Sequence, residues 1–350
     1  MIPEFWQTDL SAVSAWAERA RKAGVRRLTD SAGGRPVWLF AYGEREELHP
    51  SANYSSACGA HDITFYRDRR RKKPVILLVG AEHGQETEGT AALMNLISLL
   101  ETGADLAGRP NDAMLEAASN VRLLIIPVMN PDGRARVKPA AMIGCTNDEL
   151  RYWGQGTWLD GSLCSWPDCK KVHPIRDAVE FLGGYFNDDG INLMHDQFFR
   201  PMARETAALL ALAEEELVDC ALHLHGGTNS VNDLLSTSYV PLEISEAIRQ
   251  LSIRCDTAAR QEGQSFTVRD IPARESGSTP PSFNLASALH HVCGAVSAVF
   301  ESNECIRDAP GFKQTYEEIL RGHMILFEQA CRMFREWQSV GGTSGFPIEK

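Results

Sequence analysis

Three short strings in the sequence carry residue types that act together on metals and protons. In Gly80-Ala81-Glu82-His83-Gly84-Gln85-Glu86, His83 and Glu86 stand three residues apart, a spacing that lets both side chains converge on one point in a helical turn. In Leu222-His223-Leu224-His225-Gly226-Gly227, two imidazoles share one strand face, because strand side chains repeat every two residues. The third string, Val299-Phe300-Glu301-Ser302-Asn303-Glu304, places carboxylates at the end of an apolar run. Two histidines and one carboxylate hold zinc with a position left open for water, the arrangement of hydrolytic zinc sites. Zinc held in this way lowers the pKa of its water to about 7 and polarises a carbonyl. His83, Glu86 and His225 are therefore the candidate metal ligands. Only one histidine of the second string is needed, and Gly226-Gly227 favour His225 by letting the backbone turn there. His223 is read as an orienting group or a core histidine. Glu301, nearest the strand, is the candidate general base and proton donor to the leaving amine, with Glu304 as the alternative.

The elements that must position these residues follow from periodicity. Val75 to Gly80 is apolar without polar alternation, as in a strand covered on both faces. Similar strands are expected at 121–129, 217–224 and 295–300, and helices at 9–23, 86–100, 202–216, 242–262 and 312–337. A hairpin is expected from Val25-Leu28 and Pro36-Ala41 about the turn Asp30 to Gly34. Strands alternating with helices imply an α/β sheet with helices on both faces. His83 and Glu86 then lie beyond the carboxyl end of a strand, where open α/β sheets bind ligands. Between Asn130 and Ile191 runs a long segment of little periodicity with Trp153, Trp158 and Trp166, the profile of a binding loop or lid.

Composition narrows the function classes. The 350 residues are 43% hydrophobic and carry a formal charge of -11, a balance that argues against nucleic acid and anionic membranes as partners. The longest aliphatic stretch, Val75 to Ala81, is far short of the roughly 18 residues of a membrane span. The opening residues have neither a basic segment nor an apolar one of signal-peptide type. Nine scattered cysteines read as reduced thiols, making the cytoplasm the expected compartment. Cys164, Cys169 and His173 have too irregular a spacing for a second metal site and are read as structural.

The order of motifs resembles the zinc-dependent metallocarboxypeptidases, a superfamily shared with succinylglutamate desuccinylase-like enzymes. The string His83-Gly84-Gln85-Glu86 is followed by Asn130-Pro131-Asp132-Gly133, Leu224-His225-Gly226 and Phe300-Glu301, and Gly34-Arg35-Pro36 fits the family's first hairpin. The resemblance implies a single α/β domain with a mixed sheet of about eight strands. It also implies one zinc held by His83, Glu86 and His225, and Glu301 as acid/base. An arginine stabilising the oxyanion is expected after the Asn-Pro-Asp-Gly turn; Arg151 is the candidate, with Arg134 and Arg136 competing. The sequence departs from the family in its grip on substrate. Where members carry G-x-D-x-N-R, this chain reads Gly190-Ile191-Asn192-Leu193-Met194-His195, so the Asn-Arg pair that holds a terminal carboxylate is missing. The familiar tyrosine is also not apparent in the string from Glu275 to Phe283. His195, Arg274 and Asn130 are the expected substrate-binding residues, and Tyr185 is a further cleft candidate.

These features predict a zinc hydrolase cleaving an amide bond of a peptide or acylated amino acid, with atypical carboxylate recognition. The alternatives are a small N-acyl amino acid deacylase of the succinylglutamate desuccinylase/aspartoacylase type and a catalytically silent zinc- or peptide-binding homologue. Residues 1–24 are expected to form a helical extension packed on a catalytic domain of 25–338, with a flexible tail at 339–350.

Overall fold

The computed structural model describes residues 1–67, 71–199, 202–228, 231–271, 279–311 and 313–339. The strands are β1 (Gly24–Asp30), β2 (Pro36–Tyr42), β3 (Val75–Gly80), β4 (Arg122–Ile126), β5 (Gly156–Trp158), β6 (Val179–Leu182), β7 (Cys220–Gly227), β8 (Asp233–Leu235) and β9 (Val296–Asn303). The helices are α1 (Leu10–Arg19), α2 (Tyr54–Gly59), α3 (Glu88–Thr102), α4 (Asp112–Ser119), α5 (Pro131–Arg136), α6 (Asn147–Gly154), α7 (Arg204–Glu216), α8 (Leu242–Arg260), α9 (Leu285–Cys293) and α10 (Tyr316–Ser339). Seven strands form the main sheet in the order β1-β2-β4-β3-β7-β9-β8, and β5 pairs with β6 in a separate ribbon. Strands β4, β3, β7 and β9 are parallel, while β1, β2 and β8 run antiparallel at the edges.

The unbroken apolar runs of the inner strands have a direct cause. Every residue of β3 is buried, and alternate side chains serve opposite faces. Ile76 and Leu78 join a core with α1, α3, α4, α8 and α10; Leu77 and Val79 join another with α7 and α9. Each large apolar side chain fully buried in this way contributes about 1.5–3 kcal/mol relative to exposure. From β3 the chain passes to β4 on one side and only later to β7 on the other. The sheet therefore has its switch point at β3, the place where α/β folds open a crevice beyond the strand ends. No helix among the described residues is long and apolar enough to cross a membrane.

Two expectations are corrected. Glu86 does not lie in a helix: α3 begins at Glu88, and His83 and Glu86 share a tight turn closed by the Glu86 N–H donating to the His83 carbonyl at 3.1 Å. Glu301 does not follow its strand but lies within β9, opposite His225. The segment from Asn130 to Ile191 holds more order than its sequence suggests, because Cys164, Cys169, Ile175, Val179, Leu182 and Phe186 make a small core of their own.

Candidate metal centre and active site

Strand β3 ends at Gly80, and Ala81 takes a positive φ of 48° that turns the chain across the sheet edge. Such a conformation is costly for a residue with a Cβ and persists only where neighbours enforce it. Here the Asn130 N–H donates to the Ala81 carbonyl at 2.9 Å. Gly84 in the turn has no room for a side chain, since a Cβ would lie 2.1 Å from the Arg134 nitrogen.

The turn delivers His83 and Glu86 to His225 of β7, and one ligand atom from each lies within 4.8 Å of the others. His83 Nδ1 and Glu86 Oε1 are 2.8 Å apart, as are His225 Nδ1 and Glu86 Oε2. The outer ring nitrogens are oriented from behind. His225 Nε2 donates to Glu82 Oε2 at 2.8 Å, and His223 Nδ1 lies 2.7 Å from Glu82 Oε1. His83 Nε2 faces Asn192 Oδ1 at 3.2 Å, and the ring stacks on Tyr185 with centroids 3.9 Å apart. Both imidazoles thus turn Nδ1 inward, the arrangement by which acceptors behind a histidine set its tautomer for metal. This donor set fits a zinc ion with a free position.

The electrostatics agree with the geometry. Burial raises the pKa of the Glu82 carboxyl, but His223 and His225 outweigh it and hold it below the usual carboxylate range. Burial also acts against Glu86, yet His83 and His225 bring it down to about 2. Glu301 moves the other way: burial and then the charge of Glu86 raise it to about 7. Glu304 is pushed up by burial and by the carboxylates Glu88, Glu86 and Glu301.

His83, Glu86, His225, Glu301 and Glu304 line a cleft of about 740 Å³ that also exposes Arg151, Lys170, Tyr185, Met194 and His195. Arg151 commits Nε and Nη2 to the carbonyls of Cys164 and Leu163, both at 3.0 Å. Arg134 and Arg136 lie away from the cleft lining. The first donates to the carbonyls of Thr8, Val137 and Pro139, the second to Asp188 and the carbonyls of Leu182, Gly183 and Phe186. Asn130, expected to bind substrate, is fully buried; its Oδ1 caps α5 at Gly133 and its amide holds the carbonyls of Glu82 and Gly184. It shapes the ligand turn and does not face the cleft. Arg274 lies outside the described residues. Cys164 and Cys169 are buried free thiols, and the described residues contain one potential metal cluster, His83, Glu86 and His225.

His195 reaches the cleft, but not as a cation. Lys170 Nζ lies 2.9 Å from its Nε2, and Ser282 Oγ lies 3.0 Å from its Nδ1. A lysine ammonium has only donors, so Nε2 accepts and Nδ1–H donates to the hydroxyl. Burial and the Lys170 charge hold this imidazole neutral by pulling its pKa down to about 3. The positive charge is on Lys170. Its ammonium also lies 5.0 Å from the Trp166 ring centroid. Partial desolvation lowers its pKa, opposed by Cys169, Glu86 and Glu301. Sequence reasoning missed Lys170, Glu82 and the part of Asn192. Only Asn192 left a trace, standing where the family string has aspartate.

The chain belongs to the zinc carboxypeptidase family, whose model matches residues 15–275. Among solved structures it is similar to a metallo-carboxypeptidase from Burkholderia cenocepacia, with 15% identity, 91% of this chain and 66% of that one covered, and a TM-score of 0.55. A Pseudomonas aeruginosa metallo-carboxypeptidase in complex with (2-guanidinoethylmercapto)succinic acid gives 15% identity, 92% and 67% coverage and a TM-score of 0.54. Carboxypeptidase A from Helicoverpa armigera gives 14%, 97%, 75% and 0.53. At these identities the likeness is one of fold, and the chain spans about two thirds of the length of the two bacterial proteins. Comparison with curated proteins by sequence returned no match.

Proposed function

We propose that the chain is a zinc-dependent hydrolase that cleaves an amide bond of a peptide or an acylated amino acid, and that a lysine meets the substrate's carboxylate. The observation that carries this reading is the convergence of His83, Glu86 and His225 in one cleft with Glu301 on the neighbouring strand. Zinc, when bound, supplies a Lewis acid that polarises the scissile carbonyl and acidifies a water. The remaining work belongs to the chain's own residues. Glu301 takes a proton from the attacking water and passes it to the leaving nitrogen, the double transfer open to a buried carboxyl opposite the ligand His225. Glu82 and Asn192 keep the two imidazoles aimed inward.

Lys170 fills the role left open by the loss of the Asn-Arg pair. Its Nζ keeps donors beyond the one given to His195, and among the described residues it makes no ion pair of its own. Arg151, with Nε and Nη2 on carbonyls and Nη1 3.5 Å from Asp148, contributes charge to the cleft wall while Lys170 supplies the direct hydrogen bond.

A hydrolysis screen tests the reading, using peptides with free and amidated C-termini and N-acyl amino acids on zinc-loaded protein. Hydrolysis is expected in at least one arm, falling by about 10²- to 10⁴-fold in Glu301→Gln with zinc retained. The productive arm separates peptidase from small-molecule deacylase. A Glu301→Gln rate within about threefold of wild type would overturn the assignment, and wild-type protein inert in every arm would favour the silent homologue.

A further inference from the structure

A buried carboxylate ordinarily has a hydrogen-bonding partner, and among the described residues two beside this cleft have no side-chain partner. Glu88, the first residue of α3, is fully buried, and Glu304, just past β9, is 3% exposed. Among the described residues, the Glu88 carboxyl has no side-chain partner and leans only on the backbone N–H groups of Thr87 and Glu88 itself, and Glu304 Oε1 has none. The two side chains meet across Gly226, where a Cβ would come within 2.8 Å of Glu304 Cγ and 3.0 Å of Glu88 Oε2. Gly226 directly follows the ligand His225, and Glu304 lines the cleft beside it. The cation that acts on Glu88 is Arg134, whose donors go to backbone carbonyls. Gln85 Oε1, another buried atom of the cleft wall, is also an acceptor without a donor. Gln85 Oε1 accepts, and the two carboxyls accept through every oxygen when ionised, the form that a ligand with N–H donors and positive charge would favour and satisfy.

We propose that Glu304, backed by Glu88, forms a subsite for an ammonium group of the substrate, beside the metal ligand His225 and separate from the Lys170 cation. The proposal rests on reading the cleft as a hydrolase's substrate cleft, and adds that the substrate is bipolar, with a carboxylate at Lys170 and an amine at Glu304. The amine is either a free N-terminal α-amino group or a basic side chain.

Equilibrium binding to the zinc-loaded full chain carrying Glu301→Gln, which suppresses turnover, distinguishes these cases with three probes: Ala-Phe, N-acetyl-Ala-Phe and N-acetyl-Lys-Phe. One amine-bearing probe is expected to bind at least about tenfold more tightly than N-acetyl-Ala-Phe, the scale of a charge-assisted hydrogen bond. Tighter Ala-Phe identifies an α-amine, and tighter N-acetyl-Lys-Phe a side chain. Adding Glu304→Gln should bring the ratio within about twofold, whereas Lys170→Met should weaken all three probes alike. If the Gln variant does not fold, Glu304→Asp must still reduce the ratio. Equal binding of the three probes, a ratio that survives these substitutions, or no binding at millimolar probe would overturn the subsite and leave Glu88 and Glu304 a neutral carboxylic pair. Hydrolysis by wild type is read separately: turnover without the amine preference removes only the subsite, and the preference without turnover removes only the hydrolase.

Discussion

At the amino ends of the parallel strands the buried acids Glu216 and Asp219 meet arginines, whereas at the carboxyl ends of β3 and β9 Glu88, Glu301 and Glu304 are stacked beside Glu86. Asp219, just before β7, receives Arg67 at 2.8 Å, Arg71 at 3.2 Å and the Val75 N–H at 2.8 Å. Glu216 is gripped by both Nε and Nη2 of Arg122, at 2.7 and 2.8 Å. At the other end the charge of Glu86, itself held by His83 and His225, raises the pKa values of Glu88, Glu301 and Glu304, and among the described residues both oxygens of Glu88 and Oε1 of Glu304 have no side-chain donor. Paired charges tie strand ends together. Unpaired ones store an affinity for something that is not protein, and strongly perturbed groups in a cleft mark sites of chemistry. One sheet separates the two uses of charge, so each can be disturbed without the other.

The largest effect should come from the carboxyl end. His225→Ala is expected to reduce zinc from about one ion per chain to near zero by elemental analysis, because two remaining ligands do not make a tight site. Asp219→Ala should do the reverse. Removing one partner of a buried ion pair costs about 3–5 kcal/mol, so denaturant melts should show a large loss of stability while the surviving folded protein still binds zinc. Zinc loss in Asp219→Ala without any change in stability would break the separation.

Acid sensitivity probes the middle of the molecule. His323 on α10 is fully buried, its Nε2 has no partner among the described residues, and burial depresses its pKa to about 4. A histidine held neutral contributes stability that is complete above its unfolded value of about 6.5 and is lost as pH falls toward and through its folded value. The two values differ by enough for a loss of about 3 kcal/mol across that window, and His323→Leu should flatten this part of the stability curve. An unchanged acid profile in the variant would show that the loss arises elsewhere.

The smallest effect concerns Lys170. Lys170→Met should raise KM for carboxylate-bearing substrates about tenfold, the scale of one charge-assisted hydrogen bond, with little change for amidated ones. An equal effect on both would move Lys170 from carboxylate recognition to a general electrostatic role.

Much of the carboxyl end was legible in the sequence. The run Val75 to Gly80 marked a strand because burial on both faces leaves no room for polar residues, and His83, Glu86, His225 and Glu301 all stand where such runs end. Asn130 misled because a polar residue at a strand end reads alike whether it faces solvent or a backbone turn. His195 misled for another reason: an imidazole's charge depends on its neighbours, and Lys170 lies 25 residues away in a segment without periodicity.

The sequence by itself therefore determined the first hairpin, the four parallel strands, the longer helices α1, α3, α7, α8 and α10 and the candidate ligands, but not β8, α4 or α9, since the former are written in apolar runs or in spacings of two, three or four residues that local geometry converts directly into a shared face. The tertiary structure alone decided that Glu82 links His223 to His225, that Lys170 carries the cleft's charge next to a neutral His195, and that Glu88 and Glu304 meet across Gly226. Those outcomes join residues up to 216 positions apart, as between Glu88 and Glu304. Whether a buried acid is paired or left seeking a partner depends on what the fold brings to it, and no local pattern records that.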